Sequence, residues 1–145
     1  MYTVKDLMTR DLVTLKESDD LSLADTIIHL GRIRHLPVVD RGGKLIGLVS
    51  QRDLLRAYAR RGEAMAGSML AGEVMTRRLT KVLPSTPLRR SLKLMLRNKF
   101  GCLPVVDKNG KLVGILTEGD LVKFSLHMVS ELDRFQNQAL RAVSV

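Results

Sequence analysis

The sequence predicts an α+β fold built from two copies of one strand–helix–strand–strand–helix unit, and three observations carry that prediction. Leu36 to Leu54 reads LPVVDRGGKLIGLVSQRDL and returns 67 residues later, from Leu103 to Leu121, as LPVVDKNGKLVGILTEGDL. The same shift places Met8-Thr9-Arg10 on Met75-Thr76-Arg77 without a gap, and a gapless repeat over most of a chain fixes its architecture. Within each copy, a helical stripe of apolar residues is followed by two short apolar runs separated by a turn. Finally, one copy of roughly 60 to 65 residues would bury only about 60% of its unfolded surface. Two copies packed as a single pseudo-symmetric unit are therefore expected.

In chain order, Thr3 to Thr9 reads as a short amphipathic turn of helix with Val4, Leu7 and Met8 on one side. Leu12 to Leu15 is a brief apolar strand. Ser18-Asp19-Asp20 supplies oxygens for the free N–H groups of a helix start, and Ala24, Ile27, Ile28 and Gly31 form that helix's inward stripe. The helix must end before Pro37, because a proline biases the residue ahead of it towards extended backbone. Leu36–Val39 and Lys44–Ser50 then make a hairpin around Arg41-Gly42-Gly43, matched by Asn109-Gly110 in the second copy. The run Leu45–Val49 is apolar throughout, as a strand covered on both faces would be, and Gly47 and Gly114 suit a close approach of backbone or ligand. A helix from Gln51 to about Arg61 closes the first copy. The copies are assigned to residues 1–61 and 71–145, joined by a linker over 62–70 in which Gly62 to Gly67 break the pattern. In the second copy Thr86 is the expected N-cap and Pro87 the first helical residue, with Leu88, Ser91, Leu92 and Met95 facing inward. From Asp120 the last helix runs on for about five turns. Leu121, Ser125, Met128, Leu132, Phe135 and Ala139 give it a short heptad seam, open to two readings: a helix covering its own domain, or a self-association surface.

Composition narrows the function classes. The 24 Lys+Arg against 15 Asp+Glu give a formal charge of +9, a field that attracts polyanions and phosphates. The single Cys102 excludes an internal disulfide, and it reads as an inert thiol beside a buried strand. His29, His35 and His127 have no zinc-like spacing, so no metal site is expected. No GxxxxGK[ST], GxSxG or HExxH pattern is present, and the chain is not read as an enzyme. The N-terminus carries charges where a signal peptide would be apolar, and no run reaches membrane-span length, so a cytoplasmic protein with no membrane contact is expected.

The pattern MT…VT, a helix, LPVVD and GKLIGLVSxxDL resembles a CBS (cystathionine β-synthase) domain, and two in tandem resemble a Bateman module. The resemblance spans essentially the whole chain. It implies two βαββα units packed with pseudo-two-fold symmetry and adenine nucleotides (AMP, ADP or ATP) bound as regulatory ligands in clefts between them, with no catalytic cofactor. The family's ligand positions map first onto Ser50, Arg52 and Asp53 and onto Thr117, Gly119 and Asp120: the hydroxyl on a phosphate, the Asp on the ribose hydroxyls. A carboxylate accepting from a vicinal diol beside a helix N-terminus is sensible chemistry in itself. The same residues also read as plain helix caps, and both roles can coexist. The second group is Ile33, Arg34 and His35 with Phe100, Gly101 and Cys102, where an apolar residue flanks the adenine and basic residues reach phosphates. The two copies differ here, so two unequal sites are expected, and Arg34 either donates to phosphate or blocks its pocket. The first strand contributes Thr14 and Leu15, with Lys81 and Val82 as counterparts, Lys81 departing from the family's usual Thr. Pro37, Leu48, Pro104 and Ile115 complete the implied lining.

The leading reading is thus a nucleotide sensor that passes its occupancy to an effector protein and pairs as a homodimer. One alternative is a nucleic-acid binder using the cluster Arg89, Arg90, Lys93, Arg97 and Lys99. With two Tyr, three Phe and no Trp, however, the chain has few stacking platforms. The other is a sensor of S-adenosylmethionine or a dinucleotide.

Overall fold

The computed structural model describes residues 1–144. In order the elements are α1 (Val4–Leu7), α2 (Leu21–Gly31), β1 (His35–Val39), β2 (Leu45–Ser50), α3 (Gln51–Arg61), α4 (Glu63–Gly67), α5 (Ala71–Val74), α6 (Leu88–Asn98), β3 (Cys102–Val106), β4 (Leu112–Thr117) and α7 (Glu118–Val143). The two halves are α+β repeats of one plan. Strands β1 and β2 pair antiparallel, as do β3 and β4, each with a register shift at the last pair (Val38/Val39 and Val105/Val106). The hairpin turns are organised by the Asp of LPVVD. Asp40 accepts from the N–H groups of Gly42 and Lys44 at 2.9 and 3.0 Å, and Asp107 from those of Asn109 and Lys111 at 2.8 and 3.0 Å. Gly43 and Gly110 follow at φ +81° and +82°, where a side chain would be strained.

The expected first strand shrinks to a single residue in each copy. Leu15 donates to Pro37 O at 2.8 Å and accepts from Val39 at 2.9 Å, and Val82 repeats this against Pro104 and Val106. The strand ends there because the Lys16 N–H turns to the Asp19 carboxylate at 2.8 Å. Two further expectations are corrected. Pro87, not Thr86, is the N-cap of α6, because the Thr86 hydroxyl accepts from Leu83 N–H instead. Residues 63–67 of the expected linker form α4, whose Ala66 is fully buried in the first core.

Two cores form, and each borrows the leading segment of the other copy. Val4 and Met8 pack with Val82, Leu88, Met95, Leu103, Val105 and Leu116 of the second copy. Ala71 and Met75 pack with Leu15, Leu21, Leu36, Val49 and Leu54 of the first. Backbone bonds hold the exchange: Val4 to Thr86 O and Thr9 to Ile115 O on one side, Ala71 to Asp19 O and Thr76 to Leu48 O on the other. This explains Gly47 and Gly114. A Cβ on Gly114 would lie 2.6 Å from Met8 Sδ, and one on Gly47 would lie 2.8 Å from Met75 Cγ. The close neighbour is a methionine of the opposite copy.

Helices α2 and α6 both end on a non-glycine residue in the left-handed region, Arg32 (φ 51°) and Lys99 (φ 55°), equivalent positions in the repeat. Helix α7 is 26 residues long, about seven turns rather than five, and spans roughly 39 Å. Asp120 is buried and Leu121 and Phe124 pack on the second core, but every described residue from Ser125 onward is exposed. The reading in which this helix covers its own domain fails, because the body ends at Phe124 and offers no apolar surface beyond it.

Candidate functional site

The exit of β2 and the exit of β4 are built alike. Ser50 caps α3: its N–H and hydroxyl donate to Asp53 Oδ2 at 2.7 and 2.9 Å, and its oxygen accepts from Asp53 N–H at 3.2 Å. Thr117 caps α7 in the same way, at 2.8, 3.0 and 3.2 Å to Asp120. In both copies the cap consumes one carboxylate oxygen and leaves the other.

The second oxygen separates the copies. Asp120 Oδ1 accepts the Thr9 hydroxyl at 2.8 Å, across the segment exchange, and the residue is only 9% exposed. Asp53 Oδ1 accepts from no described residue. Thr76, the counterpart of Thr9, stands at the same cavity as Asp53 without a hydrogen bond to it. One copy therefore holds a satisfied carboxylate and the other an open one.

Asp53 lines a cleft of about 590 Å³ to which both repeats contribute, within the usual size of small-molecule sites. Of the residues anticipated from sequence, Arg34, His35, Leu48, Ser50, Arg52, Asp53, Phe100, Gly101, Cys102 and Pro104 line it. Thr14, Leu15, Ile33, Pro37, Lys81, Val82, Ile115, Thr117, Gly119 and Asp120 do not. Thr14 and Lys81 are exposed, whereas Leu15, Pro37, Val82 and Ile115 are buried. Sequence reasoning missed Gln51, Leu55, Arg56, Thr76, Arg78, Leu79, Thr80, Lys99 and Glu118. Thr76, Arg78, Leu79 and Thr80 arrive through the segment exchange. Arg56 and Leu55 follow from helical spacing, one turn beyond Arg52, a signal that was present in the sequence.

In the cleft wall His35 lies against Gly101, where a Cβ would sit 2.9 Å from His35 Cε1. Gly101 thus admits the imidazole of the other copy. Burial pushes the His35 pKa below its usual value, opposed by the Glu118 carboxylate, with Arg34 lowering it and Asp53 raising it. Burial pushes the Cys102 thiol up to about 12, aided by Glu118, which leaves it a protonated, unreactive group near neutrality. The arrangement offers an open carboxylate for a diol, small hydroxyls, apolar surface from Leu48, Phe100 and Pro104, and the guanidinium groups of Arg34, Arg52, Arg56 and Arg78. Among the described residues no cluster of His, Cys, Asp or Glu could hold a metal ion, and no helix is long and apolar enough to cross a membrane.

The fold and the cleft have counterparts in known proteins. The CBS domain profile matches twice, over residues 4–60 and 71–127. A Vibrio cholerae protein provisionally assigned to acetoin utilization (AcuB) superposes with a TM-score of 0.83 at 39% identity, covering 92% of this chain and 97% of that one. CBSX2, solved in complex with AMP, gives 0.80 at 33% identity over 88% and 99%. The CBS domain pair of protein MJ0100, solved with 5′-methylthioadenosine and S-adenosyl-L-methionine, gives 0.76 at 28% over 85% and 98%. Among curated relatives, the chain spans 68% of the chloroplastic CBS domain-containing protein CBSX1 of Arabidopsis thaliana, with 32% identity over 92% of this chain. It spans only 23% of a homoserine O-acetyltransferase of Methanohalobium evestigatum, matched at 29% identity over 81% of this chain. With two profile matches in one register and a pseudo-symmetric pair of cores, the chain belongs to the CBS domain family as a tandem pair.

Proposed function

We propose that this chain is a regulatory sensor that binds an adenine nucleotide (AMP, ADP or ATP) in the cleft between its repeats and passes the occupancy to an effector protein. The observation that carries this reading is the Asp53 carboxylate, whose second oxygen is unpaired at the wall of the 590 Å³ cleft, where a ribose diol would supply two donors. The ligands bound by CBSX2 and the MJ0100 pair, all adenosine derivatives, support it. The two sites are unequal on this reading: the Asp53 side is open and the Asp120 side is closed by Thr9. On this reading the chain acts in the cytoplasm as a regulatory module, without a catalytic step of its own.

The same proposal includes a homodimer. Along the heptad seam of α7, Met128, Leu132 and Phe135 are 36%, 59% and 72% exposed. A second copy laying its own α7 along this face would remove that surface from water.

Thermal unfolding with and without nucleotide tests the function. A ligand that binds only the folded chain stabilises it by about 2.7 kcal/mol at 100 times its dissociation constant. A clear rise in Tm with adenine nucleotides, lost in Asp53→Ala, is the expected result. No rise with any adenine nucleotide or S-adenosylmethionine, together with steeply salt-dependent binding of single-stranded nucleic acid, would replace this reading by the nucleic-acid one.

A further inference from the structure

The charge of the cleft points to a narrower class of ligand. Five cationic side chains line it: Arg34 ahead of β1, Arg52 and Arg56 on α3, Arg78 after α5, and Lys99 at the end of α6. Only two carboxylates face them, Asp53 and Glu118. Among the described residues none of the five cations makes an ion pair; the two ion pairs present, Arg77–Glu17 and Arg134–Glu131, lie elsewhere.

The internal repeat supplies a control. Transposed by 67 residues, the same lining carries three cations, Arg32, Arg34 and Lys123, against three carboxylates, Asp11, Glu118 and Asp120. Arg52 becomes Gly119 and Arg78 becomes Asp11. The surplus of positive charge is therefore not a by-product of the CBS unit, nor of the chain's overall +9. It is gathered on the side whose ribose acceptor is open.

We infer that this cleft selects a nucleotide carrying two or more phosphates, and rejects S-adenosylmethionine. The inference rests on the reading above, that the cleft takes an adenosine compound. A guanidinium without a carboxylate partner is a bidentate donor for phosphate oxygens, and several of them around a partly enclosed space strengthen one another's attraction for a polyanion. A monophosphate answers at most two of the five positive charges. S-adenosylmethionine, with its sulfonium, ammonium and single carboxylate, brings a net positive charge into a positive cleft. The donors come from both repeats: Arg34, Arg52 and Arg56 from the first, Arg78 and Lys99 from the second. A polyphosphate chain reaching all of them ties the repeats together, which adenosine cannot do.

Calorimetric titration of the full chain with adenosine, AMP, ADP, ATP, S-adenosylmethionine and inorganic triphosphate tests this at low and at moderate salt. ADP and ATP should bind at least tenfold more tightly than AMP, adenosine and S-adenosylmethionine should bind weakest, and added salt should narrow the gap. Arg78→Gln, at an exposed position without a partner, should weaken ATP about fivefold or more and leave adenosine unchanged. Arg52→Gln should do the same, and the unfolding midpoint of each variant should match the parent. AMP binding as tightly as ATP, or S-adenosylmethionine binding best, would overturn the selectivity while leaving an adenosine cleft in place. Binding of inorganic triphosphate alone, or of nothing, would overturn both the selectivity and the reading beneath it.

Discussion

The two carboxylates at equivalent positions should fail in different ways when removed. Asp120→Ala deletes a buried acceptor that takes the Thr117 N–H, the Thr117 hydroxyl and, across the segment exchange, the Thr9 hydroxyl. A hydrogen bond to a charged group contributes roughly 1.5–3 kcal/mol, and losing a helix cap costs about 1 kcal/mol. The variant should be destabilised by about 3 kcal/mol, on the order of 10 °C in Tm for a chain of this length. Asp53→Ala loses only the cap and should cost about 1 kcal/mol, but it removes the open acceptor and should weaken nucleotide binding about ten- to hundredfold. Equilibrium unfolding in urea without ligand, with a titration of each variant, measures both quantities. A cycle with Thr9→Val isolates the cross-repeat bond: Thr9→Val should cost little once Asp120 is already Ala. Thr76→Val, which breaks no bond to Asp53, should be close to neutral for stability. Equal losses for the two Asp variants, or for the two Thr variants, would refute the assignment of the second oxygen.

Three further outcomes follow from single residues. Ser91 Oγ is buried without a hydrogen-bond partner, whereas its counterpart Ala24 packs only a methyl group, so Ser91→Ala should stabilise the chain by about 1 kcal/mol in chemical denaturation. His35 is held below its usual pKa by burial, with Glu118 opposing, so the folded state resists the proton that an unfolded histidine accepts. Its contribution is therefore complete above about pH 6.5 and is lost as the pH falls below that value; His35→Asn should flatten the acid side of the stability–pH curve. On α7, Leu132→Asp with Phe135→Asp should shift the mass in light scattering from dimer to monomer and leave the Tm of the folded unit nearly unchanged, since neither side chain touches the core.

The repeat, the hairpins and the caps were legible because each is local. LPVVD followed by a Gly-containing turn encodes its own geometry, and S/T-x-x-D encodes its own capping box, in both copies. The exchange of leading segments was not legible, for a reason intrinsic to repeats. The amphipathic turn around Val4 and Met8 fits either core equally well by pattern, because both cores descend from one plan. That ambiguity hid Thr76 and Arg78 from the Asp53 cleft and Thr9 from Asp120, and with them the asymmetry that distinguishes the two sides. The single-residue first strands were hidden for another reason. Leu12–Leu15 is apolar enough for a strand, but the Asp19 carboxylate captures the next N–H and ends the pairing at once.

Helix α7 is the element that joins the cleft to the outside. Its first residue, Glu118, lines the cleft, and its backbone N–H is held by Gly101 O at 3.2 Å, beside the half-buried His35. Its far half carries the exposed apolar face. An unbroken helix transmits a displacement of its first turn along its length, because its hydrogen-bond ladder does not kink sharply without a proline, a bulge or an inserted group. On the proposed reading a polyphosphate is drawn to the five cations of the cleft and repelled by the Glu118 carboxylate, an opposition on the order of 1 kcal/mol for charges about 4 Å apart at the dielectric of water. Coupling of that size would change an association constant several-fold, and linkage would make it reciprocal: what the proposed nucleotide does to a partner docked on α7, that partner does to the nucleotide.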